Sequence, residues 1–93
     1  MFCAMAFSTV KSGQMEPLVT AALEHAAALR QQPGYVASYV LSERGGSGQV
    51  SISIFESEEA LEHAVAATLP VIARHHIERF LEGPPAFRRF EVR

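Results

Sequence analysis

The side chains of this chain that could exchange protons include four histidines, and two of them, His75 and His76, are adjacent. The spacing of apolar residues predicts a helix from about Pro70 to Glu82, with His76 on the same side as Ile72 and Phe80. An imidazole beside an apolar cavity can take or give a proton near neutral pH. We therefore predict that His76 accepts a proton from a bound substrate; a satisfied structural histidine is the alternative.

Small and aromatic residues on two neighbouring strands could hold a flat ligand. Ser53 shares a strand face with Phe55, and the small serine leaves room for a planar molecule if that face looks toward the helices. The alternation of residues in the predicted strand over 35–43 places Tyr39 on the same face as Tyr35, where its hydroxyl could orient a phenol. We expect Phe55 and Phe80 to form pocket walls and Tyr39 to orient the ligand. The alternative is that these residues serve the core or an interface between two copies.

The remaining reactive residues indicate neither a metal site nor a reactive thiol. His75 and His76 point about 100° apart on a helix, and no third ligand accompanies them, so we expect no metal. Cys3 lies within an apolar run without a second cysteine, as an inert buried thiol does. Arg88 and Arg89 are adjacent and point to opposite faces of a strand. The pattern leaves open which of them approaches a buried region, and whether it meets a glutamate or an anionic substrate.

Composition limits the classes of protein to which the chain can belong. Its 93 residues are expected to form a single domain, 1–93, and 48% of them are hydrophobic against 19% charged, as in globular proteins. A net charge of −2 provides no basic surface for nucleic acid or anionic lipid. No apolar run reaches the roughly 18 residues of a membrane span. With a single cysteine and no disulfide, we expect a cytoplasmic protein.

The hydrophobic periodicity predicts six elements in the order βαββαβ. Strands are expected over 2–10, 35–43, 49–55 and 87–92. The first helix is expected to start near Ser12-Gly13 and to run to about Arg30. The second begins after Ser57, a good N-cap, and is expected to break or kink near Thr68 because Pro70 follows.

Apolar residues on both faces of the strands indicate a second copy of the chain. Between Phe2 and Val10 both alternating sets of side chains are apolar, so both faces of the sheet are expected to be buried. Two helices can cover only one of them. We therefore predict a homodimer in which two sheets pack face to face, with Val50, Ile52 and Ile54 at the interface and the helices outside.

Three short motifs lie at the junctions between the predicted elements. Residues 32–35 (Gln-Pro-Gly-Tyr) lead into the second strand, residues 50–63 join the third strand to the second helix, and residues 83–85 (Gly-Pro-Pro) precede the last strand. Together they resemble the antibiotic biosynthesis monooxygenase family of dimeric α/β barrels, over essentially the whole chain. The resemblance implies an α+β, ferredoxin-like βαββαβ fold with a four-stranded antiparallel sheet and both helices on one face.

The resemblance also implies a chemistry. It implies a pocket between sheet and helices in each subunit and, for some members, oxygenation of quinols or anthrone-like polyphenols without metal or flavin. Haem-degrading members use an Asn, a Trp and a His, and this chain has neither Asn nor Trp. We therefore predict a cofactor-independent monooxygenase that oxidises a small electron-rich aromatic. The alternative is a non-catalytic dimer that binds a small ligand or acts as a stress or regulatory module.

The two other histidines fall in the predicted helices. His63 lies one position before the point where the family is expected to have a histidine, and we count it among the substrate-binding candidates; an exposed histidine at the solvent edge is the alternative. His25 borders the apolar stripe of the first helix, so we expect it to serve packing.

Overall fold

Four antiparallel strands form the sheet that carries the rest of the molecule. The computed structural model describes all 93 residues. Its strands are β1 (Phe2–Thr9), β2 (Tyr35–Ser42), β3 (Gly48–Phe55) and β4 (Ala86–Glu91), in the spatial order β2-β3-β1-β4. Every neighbouring pair is antiparallel. The predicted ferredoxin-like order of elements is confirmed.

Two helices, α1 (Met15–Leu29) and α2 (Glu58–Ala73), pack against each other and against the sheet. α2 begins where the sequence predicts, because the Ser57 hydroxyl accepts a hydrogen bond from the backbone nitrogen of Ala60 at 3.1 Å. Neither helix has the length and apolarity that crossing a membrane requires.

The register of the strands separates an inner face, toward the helices, from an outer face. Phe55 of β3 packs with Leu29 of α1 and Leu61 of α2, which marks the inner face. Residues paired directly across strands share a face. The inner face therefore also carries Ala4, Ala6, Ser51 and Ser53, and the outer face carries Cys3, Met5, Phe7, Val50, Ile52 and Ile54.

A β-bulge in β2 separates the two tyrosines. The register shifts directly after Tyr35, which pairs with Phe55 on the inner face and meets its ring edge-on at 5.7 Å between centroids. Tyr39 pairs with Ile52 and so lies on the outer face. The prediction that the two tyrosines share a face is wrong, because the extra residue of the bulge inverts the alternation.

The C-terminal end of α2 also differs from the predicted helix. α2 passes through Pro70 without a break and ends within the next turn, and a 3-10 helix then spans Ile77–Phe80. Between them His76 has a left-handed backbone with φ of 48°, which ends the helical periodicity at that residue. The helix is therefore not broken near Thr68, and the predicted helix reaching Glu82 is wrong.

Packing at the end of β1 explains why the chain leaves the helical conformation after α2. Phe80 and Leu81 are buried against Val10 and Leu18. Leu81 forms an antiparallel bridge with Val10, and the Phe80 carbonyl accepts a hydrogen bond from the Lys11 backbone nitrogen at 2.8 Å. These contacts require extended backbone at Leu81, with φ of −106° and ψ of 148°, and a continuing helix could not supply it.

Candidate functional site

A cavity lies between the inner face of the sheet and the two helices. Its volume is about 420 Å³, within the range of about 300–1,000 Å³ that is usual for small-molecule sites. Fifteen of the 24 residues that line it are hydrophobic, so a ligand would be surrounded mainly by apolar groups. The helices contribute Leu18, Ala22, His25, Ala26, Leu29, Val65, Leu69 and Ile72. The floor is made of small inner-face residues, Ala4, Ala6, Ser51 and Ser53, whose size leaves the space open.

The cavity opens beside β4, an edge strand that the helices leave exposed. Leu69 of α2 and Phe87 of β4 both line the cavity and are 56% and 75% exposed, which places the mouth between them. Arg89 pairs with Ala4 and therefore lies on the inner face. Its Nη1 atom is 3.4 Å from Oε1 of Glu62 on α2. One guanidinium thus borders an otherwise apolar opening.

The two adjacent arginines of β4 are separated by the sheet. Arg88 pairs with Met5 on the outer face, whereas Arg89 lies on the inner face. Both arginines border the cavity, but Arg89 is the one whose side chain lies on the inner face, and a glutamate of the same chain, Glu62, is its partner.

His25 of α1 is the one histidine that lines the cavity. Its Nε2 atom is 2.9 Å from Oγ1 of Thr68, a buried residue of α2. The Thr68 hydroxyl is also 2.8 Å from the carbonyl oxygen of Ala64, one turn earlier in the helix. A carbonyl oxygen can only accept, so the threonine donates its single proton there. The Thr68 oxygen then accepts a hydrogen bond from the Nε2–H group of His25.

This pair of hydrogen bonds fixes the tautomer of the imidazole. With the proton on Nε2, the Nδ1 atom of His25 keeps its lone pair. Every buried side-chain nitrogen or oxygen of the protein has a hydrogen-bond partner. The Nδ1 atom of His25 has no partner, so it is not buried and is accessible. Burial of the rest of the ring lowers the pKa of His25 below its usual 6.5, which keeps the ring neutral at pH 7.

Polar side chains lie together on the cavity floor. Gln49 is buried, and its Nε2 atom donates to Oγ of Ser51 at 2.9 Å. Ser53 lies opposite Ser38 of β2, whose hydroxyl is 2.8 Å from that of Tyr35. The hydrogen bond between the two hydroxyls lowers the pKa of Tyr35. Four of these residues line the cavity and could orient one polar substituent of a ligand whose bulk is apolar: Ser38, Gln49, Ser51 and Ser53.

A second group of ionisable residues lies on the surface, outside the cavity. The Oε2 atom of Glu24 is 2.6 Å from Nε2 of His75 and 3.4 Å from Nη2 of Arg74. The hydrogen bond from His75 and, to a smaller extent, the one from Arg74 lower the pKa of the Glu24 carboxyl. The group ties α1 to the end of α2. Nowhere in the chain do three or more His, Cys, Asp or Glu side chains come together in a way that could hold a metal ion.

Two histidines that we predicted in the site lie away from the cavity. The side chain of His76 is 73% exposed, its Nδ1 atom is 3.8 Å from Oε1 of Glu78, and it does not line the cavity. The helical period that predicted its inward orientation is interrupted by its own left-handed backbone. His63 is exposed on α2 and does not line the cavity either. Both predicted placements are corrected.

The predicted aromatic residues are also elsewhere. Phe55 and Phe80 are buried in two separate core clusters and neither lines the cavity, because close packing fills the space around each ring. Tyr39 borders the cavity through its strand, but its pairing with Ile52 places its side chain on the outer face. Ser53 is the predicted substrate-binding residue that lies on the floor of the cavity and on its inner face.

Sequence reasoning missed His25 as a site residue. The available signal was its position beside the apolar stripe that includes Ala22, Ala26 and Leu29, and that signal favoured a packing role. What distinguishes His25 is its partner Thr68, which is 43 residues away in sequence and meets it only when α1 packs on α2. No local pattern contains that contact.

The family model for antibiotic biosynthesis monooxygenase matches residues 1–91. The chain belongs to the antibiotic biosynthesis monooxygenase family. The resemblance inferred from the short motifs is therefore confirmed. A search of curated proteins found no match to this family member.

Solved structures of other proteins share the fold of this antibiotic biosynthesis monooxygenase family member. SnoaB from Streptomyces nogalater, a cofactor-independent oxygenase, has a TM-score of 0.82 at 22% identity, over 99% of this chain and 92% of SnoaB. A protein from Nitrosomonas europaea has a TM-score of 0.87 at 12% identity, over 99% and 98% of the two chains. Rv0793 from Mycobacterium tuberculosis has a TM-score of 0.83 at 14% identity, over 98% and 93%. At these identities the likeness establishes the fold alone.

Proposed function

We propose that this family member is a cofactor-independent monooxygenase that oxidises a small electron-rich aromatic, such as a quinol or an anthrone-like polyphenol. The observation that carries the proposal is the cavity of about 420 Å³ between sheet and helices, which is largely apolar and has a few polar groups, among them Gln49, Ser53 and His25, in its lining. Membership of the family and the fold shared with SnoaB, a cofactor-independent oxygenase, support it.

A substrate of this class can supply the reducing electrons itself after losing a proton. The substrate anion passes one electron to dioxygen, and the resulting radical and superoxide combine to form a C–O bond. Protonation gives a hydroperoxide, and loss of water breaks the O–O bond and leaves a carbonyl group. One oxygen atom thus enters the product and the other leaves as water, without an external reductant.

The lining of the cavity suits this sequence of steps. The apolar side chains of α1 and α2 exclude water from the delocalised anion and from the reactive intermediates. Ser53 and the hydrogen-bonded pair Gln49 and Ser51 would hold a hydroxyl or carbonyl oxygen of the substrate against the floor. Phe87, exposed at the mouth, would contact the aromatic ring as it enters.

The proposal includes a homodimer formed through the outer face of the sheet. Large apolar side chains are exposed on this face in a single chain: Phe7, Tyr39, Leu41 and Phe90. A contiguous apolar surface of this kind is rare on a monomer and is usual at an interface. Because the helices and the cavity lie on the opposite face, a second copy placed here would leave the cavity intact.

A non-catalytic dimer that binds a small aromatic ligand is the second candidate. One observation favours it: His76, the proton acceptor that the sequence suggested, points away from the cavity. The presence of His25, Gln49 and Ser53 on the cavity lining favours the enzyme instead. The two candidates differ in whether dioxygen is consumed when a ligand is bound.

Dioxygen consumption by chelator-treated protein, measured over a panel of quinols and anthrones, tests the proposal. We expect uptake above the autoxidation rate for at least one compound. Ala26→Phe, which places a ring in the cavity, should abolish that uptake, whereas Ala27→Phe at the neighbouring exposed position should retain it. Compounds that bind to the wild type without any uptake would instead establish the ligand-binding dimer.

A further inference from the structure

We propose that His25, oriented by Thr68, is the base that removes the hydroxyl proton of the aromatic substrate, and that it does so through its Nδ1 atom. The inference rests on the proposed function and adds the residue that performs its first step.

The geometry leaves one nitrogen of the imidazole free for the substrate. Nε2 of His25 donates a hydrogen bond to the Thr68 hydroxyl at 2.9 Å, and that hydroxyl donates to the Ala64 carbonyl oxygen at 2.8 Å. Nδ1 has no partner and is accessible, on a side chain that lines the cavity. A hydroxyl of a bound aromatic can therefore donate to Nδ1 without breaking any hydrogen bond of the protein.

No other cavity-lining group can take this role near neutral pH. The ionisable residues of the lining are His25, Tyr39, Arg88 and Arg89. Arginine remains protonated and has no acceptor atom. The side chain of Tyr39 lies on the outer face of the sheet. His25 is therefore the ionisable residue of the lining that can accept the proton.

The proton transfer is balanced over the reaction. The substrate O–H bond breaks as an N–H bond forms at Nδ1 of His25, and the electron pair of the broken bond stays on the substrate as its anion. After the anion has reacted with dioxygen, the same proton passes from Nδ1 to the peroxide and forms the hydroperoxide. His25 is then neutral again. Thr68 accepts from Nε2 throughout, so it is a positioning residue.

Burial favours the neutral form of His25 before the reaction, because it lowers the pKa of the imidazole. Arg89, on the cavity side of β4, is paired with Glu62 of α2. Glu24, the residue preceding His25, is engaged on the surface with His75 and Arg74. Turnover is therefore expected to need the deprotonated imidazole and to fall as the pH decreases.

A binding measurement tests the inference without requiring turnover. The probe is 4-nitrophenol, whose anion absorbs at a longer wavelength than the phenol. The wild type should bind it and raise the fraction of anion above that of the free probe at the same pH. His25→Gln, which keeps an N–H donor for Thr68 but has no base, should lose this increase, and the matched His76→Gln should keep it. Failure of the wild type to bind or ionise the probe, or an unchanged increase in His25→Gln, would overturn the inference.

Turnover of an active substrate from the oxygen-uptake panel provides the second test. His25→Gln should lower kcat by about 10²-fold or more with a smaller change in KM, as loss of a general base does. Thr68→Val should lower kcat and move its pH dependence, and Thr68→Ser should restore both. A kcat equal to that of the wild type in folded His25→Gln would overturn the role of His25 as base, but it would not contradict the proposed monooxygenase activity. Ionisation of 4-nitrophenol by a wild type that shows no oxygen uptake with any compound would instead contradict the proposed monooxygenase activity and support the role of His25 as base.

Discussion

The Nε2 atom of His25 and the Oγ1 atom of Thr68 form a 2.9 Å hydrogen bond that joins α1 to α2 at the wall of the cavity. Because Thr68 also donates to the Ala64 carbonyl, the contact has a direction, from imidazole to threonine. Packing of the two helices is thereby coupled to the tautomer of one histidine. Changes at either residue should affect stability as well as chemistry.

Thr68→Val should destabilise the protein by about 1–3 kcal/mol, because it leaves the Nε2–H group of His25 without its acceptor in a buried setting. Valine has nearly the same volume as threonine, so the cost is expected to come from the lost hydrogen bonds. Urea unfolding measures it. Thr68→Ser, which keeps the hydroxyl and removes only a methyl group, should cost less than valine. If serine is the more damaging of the two, packing and not hydrogen bonding is what Thr68 contributes.

The free energy of unfolding should decrease as the pH falls below about 6.5 because of His25. Its pKa is lower in the folded protein than the usual 6.5, so below that value the unfolded chain binds more protons and is favoured. The loss is complete once the pH has fallen through the lowered pKa of the folded state. Urea unfolding at several pH values between 7 and 5 measures this dependence.

His25→Gln supplies the control for this pH dependence, since it removes the titrating group and should flatten the curve in that window. Glu24 acts at lower pH: its pKa is lowered from 4.5 by His75 and Arg74, so its contribution is present above that value and is lost in more acidic solution. Glu24→Gln should therefore leave the window from 7 to 5 unchanged. A curve that stays as steep in His25→Gln as in the wild type would assign the effect to another group.

Gly34→Ala should destabilise the protein more than Gly13→Ala. Both glycines have positive φ, 81° and 77°, so each alanine costs about 1–2 kcal/mol of backbone strain. At Gly34 the new Cβ would also lie 2.7 Å from Cβ of Ala60 at the start of α2, whereas nothing lies within 4 Å at Gly13. Thermal unfolding of the two variants compares them directly. An equal loss of stability in the two variants would mean that α2 can move away from residue 34 without a cost in free energy.

Much of the fold could be predicted from local patterns. Alternating apolar residues predicted the strands, Ser57 predicted the start of α2, and the order of elements predicted the sheet. The errors arose where a single residue changes the phase of a pattern. The β-bulge after Tyr35 moves Tyr39 to the outer face, and the left-handed backbone of His76 ends the helical period.

The candidate site was less accessible to sequence reasoning because its parts meet only in the folded chain. Helical spacing selected His76, yet the packing of Phe80 and Leu81 against Val10 redirects that segment. His25 needed the contact with Thr68 before a role other than packing could be assigned to it. Ser53 was placed correctly on the inner face because its strand has no bulge and keeps its alternation.

Ile52→Glu should convert the proposed dimer into a monomer. Ile52 lies on the outer face of β3, between Met5 of β1 and Tyr39 of β2, so a carboxylate there would be buried without a partner between two sheets. Light scattering after gel filtration measures the mass. Leu23→Glu is the matched control, since Leu23 is exposed on α1, away from the sheet, and its variant should stay dimeric. A wild-type protein that is already monomeric at micromolar concentration would refute the interface, and circular dichroism of Ile52→Glu distinguishes a folded monomer from an unfolded chain.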